Sequence, residues 1–207
     1  MQKSPALLRY GAIAFGVAVL TSAGTAVASA ASIDDDAVDV HVTIAPPVDD
    51  GFLALSVEES STLLEEVDSD DPLVRQFDGS LPTVTVTDTR TTLPEAGSYW
   101  AVLGTASDFV NDEDDAVTIG AEYLGWVPAL LADYGSEIDA GQPVDGAVDD
   151  GPGLATQDTE ILYVNWDQEE NFGQGPWSAT ADLSLKVPAA SVEPGSYTSV
   201  LTLSLFE

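Results

Sequence analysis

The chain has 207 residues, of which 36 are acidic and five basic, giving a formal charge of −31, and it has no cysteine. Phosphate backbones and anionic membrane surfaces repel such a chain, which argues against nucleic acid and lipid headgroups as partners. Disulfides, thiolate-bound metals and lipids attached through cysteine are excluded, and the acids read first as a coat that keeps the chain soluble.

The charge is unevenly placed. All 36 acids lie beyond residue 30. Before them come Lys3 and Arg9, an apolar stretch from Tyr10 to Leu20, and a run of small residues from Thr21 to Ala31 that contains Ala28, Ser29 and Ala30. A cationic start, a short apolar middle and a small-residue cleavage site make up a secretory signal peptide. The apolar stretch is too short for a membrane span, which needs about 20 apolar residues. Residues 1–30 are therefore expected to be a cleaved signal peptide, and residues 31–207 an exported β-sandwich domain with no membrane insertion after cleavage. With no Arg-Arg pair, the general secretion route is expected rather than the twin-arginine one. Beyond the leader only Arg75, Arg90 and Lys186 are basic.

The rest reads as strands and turns. Val38 to Ile44 alternates apolar and polar residues, so Val38, Val40, Val42 and Ile44 share one face. Pro46, Pro47 and Gly51 interrupt it, and Phe52 to Val57 resumes as a strand. Ser61 to Val67 fits either a strand or a short helix. Residues 68–80, rich in Asp, Ser and Gly, predict a loop. Thr83 to Thr87 is an alternating strand. A turn around Pro94 to Gly97 leads into a strand from Tyr99 to Phe109. Val117 to Trp126 is expected to be extended, with a helical turn allowed over Val127 to Tyr134. Residues 139–160 predict a long loop with at most one short strand near Val144 to Val148. Ile161 to Trp166 is a strand. Trp177 to Val187 and Tyr197 to Phe206 form a final pair, joined through a turn at Pro194-Gly195. Short strands at this spacing indicate an all-β fold, a single immunoglobulin-like or related antiparallel sandwich, with a closed barrel as the alternative.

Few residues suggest chemistry. His41 is the sole histidine and alternates away from Val40 and Val42, so it reads as a solvent-facing strand residue rather than a base. No nucleophile elbow or phosphate loop is present, and zinc, which prefers nitrogen and sulfur donors, would have to be held by carboxylates almost alone. No catalytic residue, metal site or cofactor is expected. The densest acidic run, Asp108 to Asp115, supplies oxygen ligands of the kind calcium takes. The EF-hand spacing fails, however, because Val117 stands where glycine is required, and a solvated loop is the expected state. With so many acids, a pair of catalytic carboxylates cannot be picked out. Trp100, Trp126, Trp166 and Trp177 suit either sugar stacking or the packing of a β core, and core or rim packing is the expected reading.

The order of certain segments resembles a known family. Thr85 to Arg90 contains Val86, Asp88 and Arg90 in a Val-x-Asp-x-Arg pattern; Trp100-Ala101-Val102 and Ser107-Asp108-Phe109 follow. Near the end come Ala181 to Pro188, Pro194 to Thr198 and Leu201 to Leu205. Over residues 83–206 this resembles the WxL-type surface domain of Gram-positive bacteria, with Val102 in place of leucine in the first motif and Leu203 where a second tryptophan is expected. The resemblance implies non-covalent attachment to peptidoglycan or to other surface proteins, and Trp100 is the one residue carried over as a wall- or partner-binding candidate.

The expected function is thus a secreted, non-enzymatic protein associated with the cell wall or a surface assembly. Two alternatives are kept open: a secreted carbohydrate-active enzyme or carbohydrate-binding module, and a calcium-stabilised adhesion or pilus-like module.

Overall fold

Strand β11, Trp177–Pro188, sets the architecture. Its buried and less buried positions alternate strictly, with Trp177, Ala179, Ala181, Leu183, Leu185 and Val187 facing inward. In a strand this period of two turns one face to the core and the other to solvent. The computed structural model describes residues 51–155 and 159–207; His41 and the expected strand from Val38 to Ile44 lie outside the described residues.

Both edges of β11 are paired. Along one runs β8, Leu124–Leu130. Along the other run, end to end, β3, Val74–Ser80, and β4, Val84–Asp88, both antiparallel to β11. Ser80 lies opposite Asp182 and Val84 opposite Ala179, so Leu81-Pro82-Thr83 inserts one extra residue, as a β-bulge does. The Thr180 hydroxyl donates to the Leu81 carbonyl at 2.6 Å and bridges the break. Outside this lane, β1, Leu53–Val57, pairs with β4, and β2, Glu65–Val67, pairs with β3.

The second sheet has the order β13, β5, β10, β9, from Leu201–Phe206, Trp100–Ala106, Glu160–Asn165 and Ile138–Ala140. Beyond one end of β5 and β13, a small sheet of β12 (Tyr197–Thr198), β6 (Phe109–Asn111) and β7 (Thr118–Ile119) carries the same lanes onward. Ser107 and Ser199 bond to each other's lanes at that join: Ser199 Oγ donates to the Ser107 carbonyl at 2.6 Å, and the Val200 amide donates to Ser107 Oγ at 3.0 Å. The described strands pair antiparallel and pack as an all-β sandwich. The described residues belong to one compact unit, and no helix among them is long and apolar enough to cross a membrane.

Several elements differ from the sequence reading. Residues 74–80 form a strand, not part of a loop. Their Arg, Gln, Asp, Gly and Ser give no core signal, and pairing with β11 over seven residues overrides the turn propensity. Ser61 to Val67 contains a short strand, not a helix. Val127 to Leu130 stays extended as part of β8 rather than turning helically, while Ala121–Tyr123 forms a 3₁₀ turn inside the segment expected to be extended. In the long loop, Ala147–Asp149 is 3₁₀ rather than strand, and Val144 makes only a bridge to Trp126. The expected final hairpin does not form. Strand β11 lies in one sheet and β13 in the other, so residues 189–196 cross between sheets rather than turn back within one. The alternation of both strands was readable, but the partner of each depends on contacts far away in sequence.

The core is a set of rings between the sheets. Trp100 on β5 meets Tyr163 on β10 edge to face at 5.4 Å and Trp177 on β11 at 5.5 Å. The Tyr163 hydroxyl reaches the opposite sheet, within 3.2 Å of the Trp177 carbonyl and 3.4 Å of the Val84 carbonyl. Burial pushes its pKa above the ordinary tyrosine value, so it remains a neutral donor. Gly104 on β5 leaves room for Trp126, because a Cβ there would stand 2.5 Å from the indole Cη2. Neither Trp100 Nε1 nor Trp126 Nε1 has a hydrogen-bond partner, so packing holds these rings. Replacing Trp100 with alanine is expected to cost about 3–5 kcal/mol, read as a lowered midpoint in urea denaturation; a loss below about 1 kcal/mol would mean that the ring cluster is not the centre of the core.

Candidate functional site

The outward positions of β11 build a groove. Asp182, Ser184 and Lys186 lie opposite Ser80, Asp78 and Gln76 of β3 on one side, and the first two lie opposite Val127 and Gly125 of β8 on the other. Gly125 permits this shape: a Cβ there would meet the Val144 carbonyl oxygen at 2.6 Å, so glycine lets the loop of residues 144–149 lie against the sheet and form a wall. The resulting open groove has a volume of about 560 Å³, with Tyr123, Asp145 and Asp149 on the loop side.

Its polar groups hold one another in place. Gln76 Nε2 donates to Asp78 Oδ1 at 3.0 Å and Oδ2 at 2.9 Å, and Ser184 Oγ donates to Asp78 Oδ1 at 2.8 Å. Lys186 Nζ donates to Asp149 Oδ2 at 2.7 Å, tying the wall to the sheet. Fixed carboxylate, amide, hydroxyl and ammonium groups on a rigid sheet suit a ligand rich in hydroxyls and amides, because they need little ordering on binding. Asp182 and Val127 complete the floor with one charged and one apolar group.

Trp100, the residue carried over by resemblance, lies elsewhere. It is 0% exposed in the ring cluster between the sheets, so its side chain presents no surface to a wall or partner. Val102 is buried beside it, and Leu203 and Leu205 pack partly buried against the same core. Trp126 and Trp177 are also buried; Trp166 alone of the four is half-exposed.

The Val-x-Asp-x-Arg segment is a clasp between sheets. Arg90 Nε and Nη2 donate to the two oxygens of Asp88 at 2.9 and 2.7 Å, and Nη2 also donates to Gln168 Oε1 at 2.6 Å. Nη1 pairs with Glu207 just after β13. Arg90 thus joins the end of β4 to two segments of the opposite sheet, a role that the motif by itself does not announce. Burial alone would push the Asp88 carboxyl up, but the hydrogen bonds and charge of Arg90 outweigh it and hold the pKa below the ordinary value. The same pair raises that of Arg90.

The acidic run from Asp108 to Asp115, expected as a solvated loop, is strand β6 followed by a hydrogen-bonded turn. Asn111 Oδ1 accepts from the Glu113 and Asp114 amides, Asp114 Oδ1 from the Ala116 amide, and Asp108 Oδ1 from the Ala121 amide. Asp112 Oδ1 accepts from the Thr198 hydroxyl. Among the described residues, no group of three or more His, Cys, Asp or Glu is placed to hold a metal ion.

Because the folded pKa of Asp88 is depressed, its contribution to stability is present in full above the ordinary aspartate range and is lost as pH falls through the folded value. Asp88→Asn is expected to lower stability by about 1.5–3 kcal/mol at neutral pH, the range for hydrogen bonds to a charged group. The difference from the parent should shrink as the pH is taken below the ordinary aspartate range, measured by urea denaturation at each pH. A gap independent of pH would show that the carboxylate charge is not what holds the clasp.

Comparison with protein-family models, curated proteins and solved structures finds no match.

Proposed function

We propose that this chain is a secreted, non-enzymatic surface protein held at a Gram-positive cell wall without a covalent bond, and that the groove over β3, β11 and β8 takes the wall glycan. The carrying observation is the groove itself, an open channel of about 560 Å³ whose Asp78, Ser184, Gln76 and Lys186 are already oriented by mutual hydrogen bonds. A polysaccharide lies along an open channel, and its hydroxyls and amides match these donors and acceptors. The signal-peptide layout of residues 1–30 and the WxL-like order of residues 83–206 support the same reading. The groove takes over the contact role first assigned to Trp100, whose ring belongs to the core.

The binding differs from that of a simple polycation trap. The face contains Lys186, but Asp149 neutralises it, and the neighbouring Asp145 and Asp182 are acidic. Neutral, hydrogen-bonding parts of the glycan are therefore the groups recognised, and binding is expected to vary little with salt.

Sedimentation with purified cell walls tests the proposal. The wild-type protein should pellet with the walls, and Asp78→Ala should lower the apparent affinity about five- to tenfold without a matching loss in melting temperature. Protein left wholly in the supernatant would reject wall binding. Unchanged pelleting of the folded Asp78→Ala variant would reject the groove as its seat. Release of reducing ends in the same mixture would argue instead for a glycan-cleaving enzyme.

A further inference from the structure

The outer face of the second sheet carries an aromatic patch that neither the core nor the groove uses. Pairing places Phe206, Ala101, Val164 and Asp139 in one row across β13, β5, β10 and β9. Tyr99 precedes and Trp166 follows the last pair of that ladder, Trp100 with Asn165. The Gln168 amide donates to the Ser98 carbonyl at 3.0 Å and keeps these segments side by side. Trp100 and Asn165 point inward, so Tyr99 and Trp166 point outward by alternation. Phe206, Tyr99 and Trp166 are 52%, 55% and 50% exposed, whereas Ala101 and Val164 in the row between β13 and β9 are buried. Several large exposed rings on one sheet face mark a contact surface rather than scattered surface apolarity.

The Trp166 ring is held in position. Its Nε1–H donates to Asp139 Oδ2 at 2.9 Å, and its backbone amide donates to the Glu137 carbonyl at 2.8 Å. An indole face beside a carboxylate attracts cations, because the ring quadrupole and the negative charge act together. The three basic side chains of the described residues are engaged elsewhere: Arg75 with Glu66, Arg90 with Asp88 and Glu207, and Lys186 with Asp149. Among the described residues no basic side chain is left to complement this face, so a cation from another molecule suits it. A second copy of the chain is a poor candidate, since it carries the same formal charge of −31 and repels the first.

We infer that the Trp166, Tyr99 and Phe206 face docks a basic segment of a partner protein, with an arginine or lysine side chain over the Trp166 ring and its charge against Asp139. The rings supply apolar contact for the stem of that side chain, and the carboxylate fixes its head. This surface belongs to the opposite sheet from the groove, so the inference does not depend on wall binding.

Titration of a hexa-arginine peptide, followed by calorimetry and tryptophan fluorescence, tests it. Trp166→Ala is expected to weaken binding about tenfold and Asp139→Asn about threefold. Glu59→Gln, in the connection between β1 and β2, should leave binding unchanged. Equal melting temperatures would show that all three variants are folded. Any of these results would overturn the inference: no measurable binding; Trp166→Ala binding as well as wild type; the Glu59→Gln loss matching that of Asp139→Asn, which would indicate general charge attraction; or self-association that Trp166→Ala abolishes. Binding of a neutral chito-oligosaccharide at Trp166 that is unaffected by Asp139→Asn would overturn it too, by making the face a sugar platform.

Discussion

Strand β11 is the constraint on which the rest of the molecule depends. Its strict alternation commits one face to the core and the other to the groove, and both edges are filled by β8 on one side and by β3 and β4 on the other. A strand buried on one face and paired on both edges cannot slip by one residue without turning Trp177, Leu183 and Leu185 out to solvent. The same alternation that fixes the fold therefore fixes the spacing of Asp182, Ser184 and Lys186 on the opposite face. The core and the candidate site are two sides of one register.

The two sheets are joined by interactions of different kinds. In the middle, Trp100, Tyr163 and Trp177 interlock, and the Tyr163 hydroxyl reaches backbone carbonyls of the facing sheet. At one end, Arg90 gathers Asp88, Gln168 and Glu207 from three separate segments. This chain has few cations, and each one in the described residues is paired with an acid. Arg90 and Lys186 tie separate parts of the fold together, and Arg75 joins neighbouring strands. The remaining carboxylates are left to set the surface potential, which favours cationic partners over anionic ones.

Much of the fold was legible because most strands alternate openly. Thr83 to Thr87 and Trp177 to Val187 show their inward residues by spacing alone. Strand β3 did not, because Gln76, Asp78 and Ser80 face a polar groove rather than water or core, Arg75 turns the other way to pair with Glu66, and only β11 beside them makes the segment a strand. The site was still harder to read. Gln76, Asp78, Asp149 and Lys186 are distant in sequence and ordinary in type, so no spacing rule could collect them. Trp100 stood out by motif and proved to be core, while Trp166 looked like its equal and lies half-exposed. Identical side chains took opposite roles because one sits at an inward position and the other at an outward position at the end of a strand.

By itself the sequence determined the all-β class, most strand positions and the strongly acidic surface, since these follow from local alternation, turn residues and charge counts. Only the tertiary structure decided which strands pair, that β11 and β13 belong to opposite sheets, and that the Asp88–Arg90 motif is a clasp. The physical reason is the same in each case. Pairing, burial and ion pairing depend on contacts between residues far apart along the chain, and no short segment contains the information about its distant neighbours.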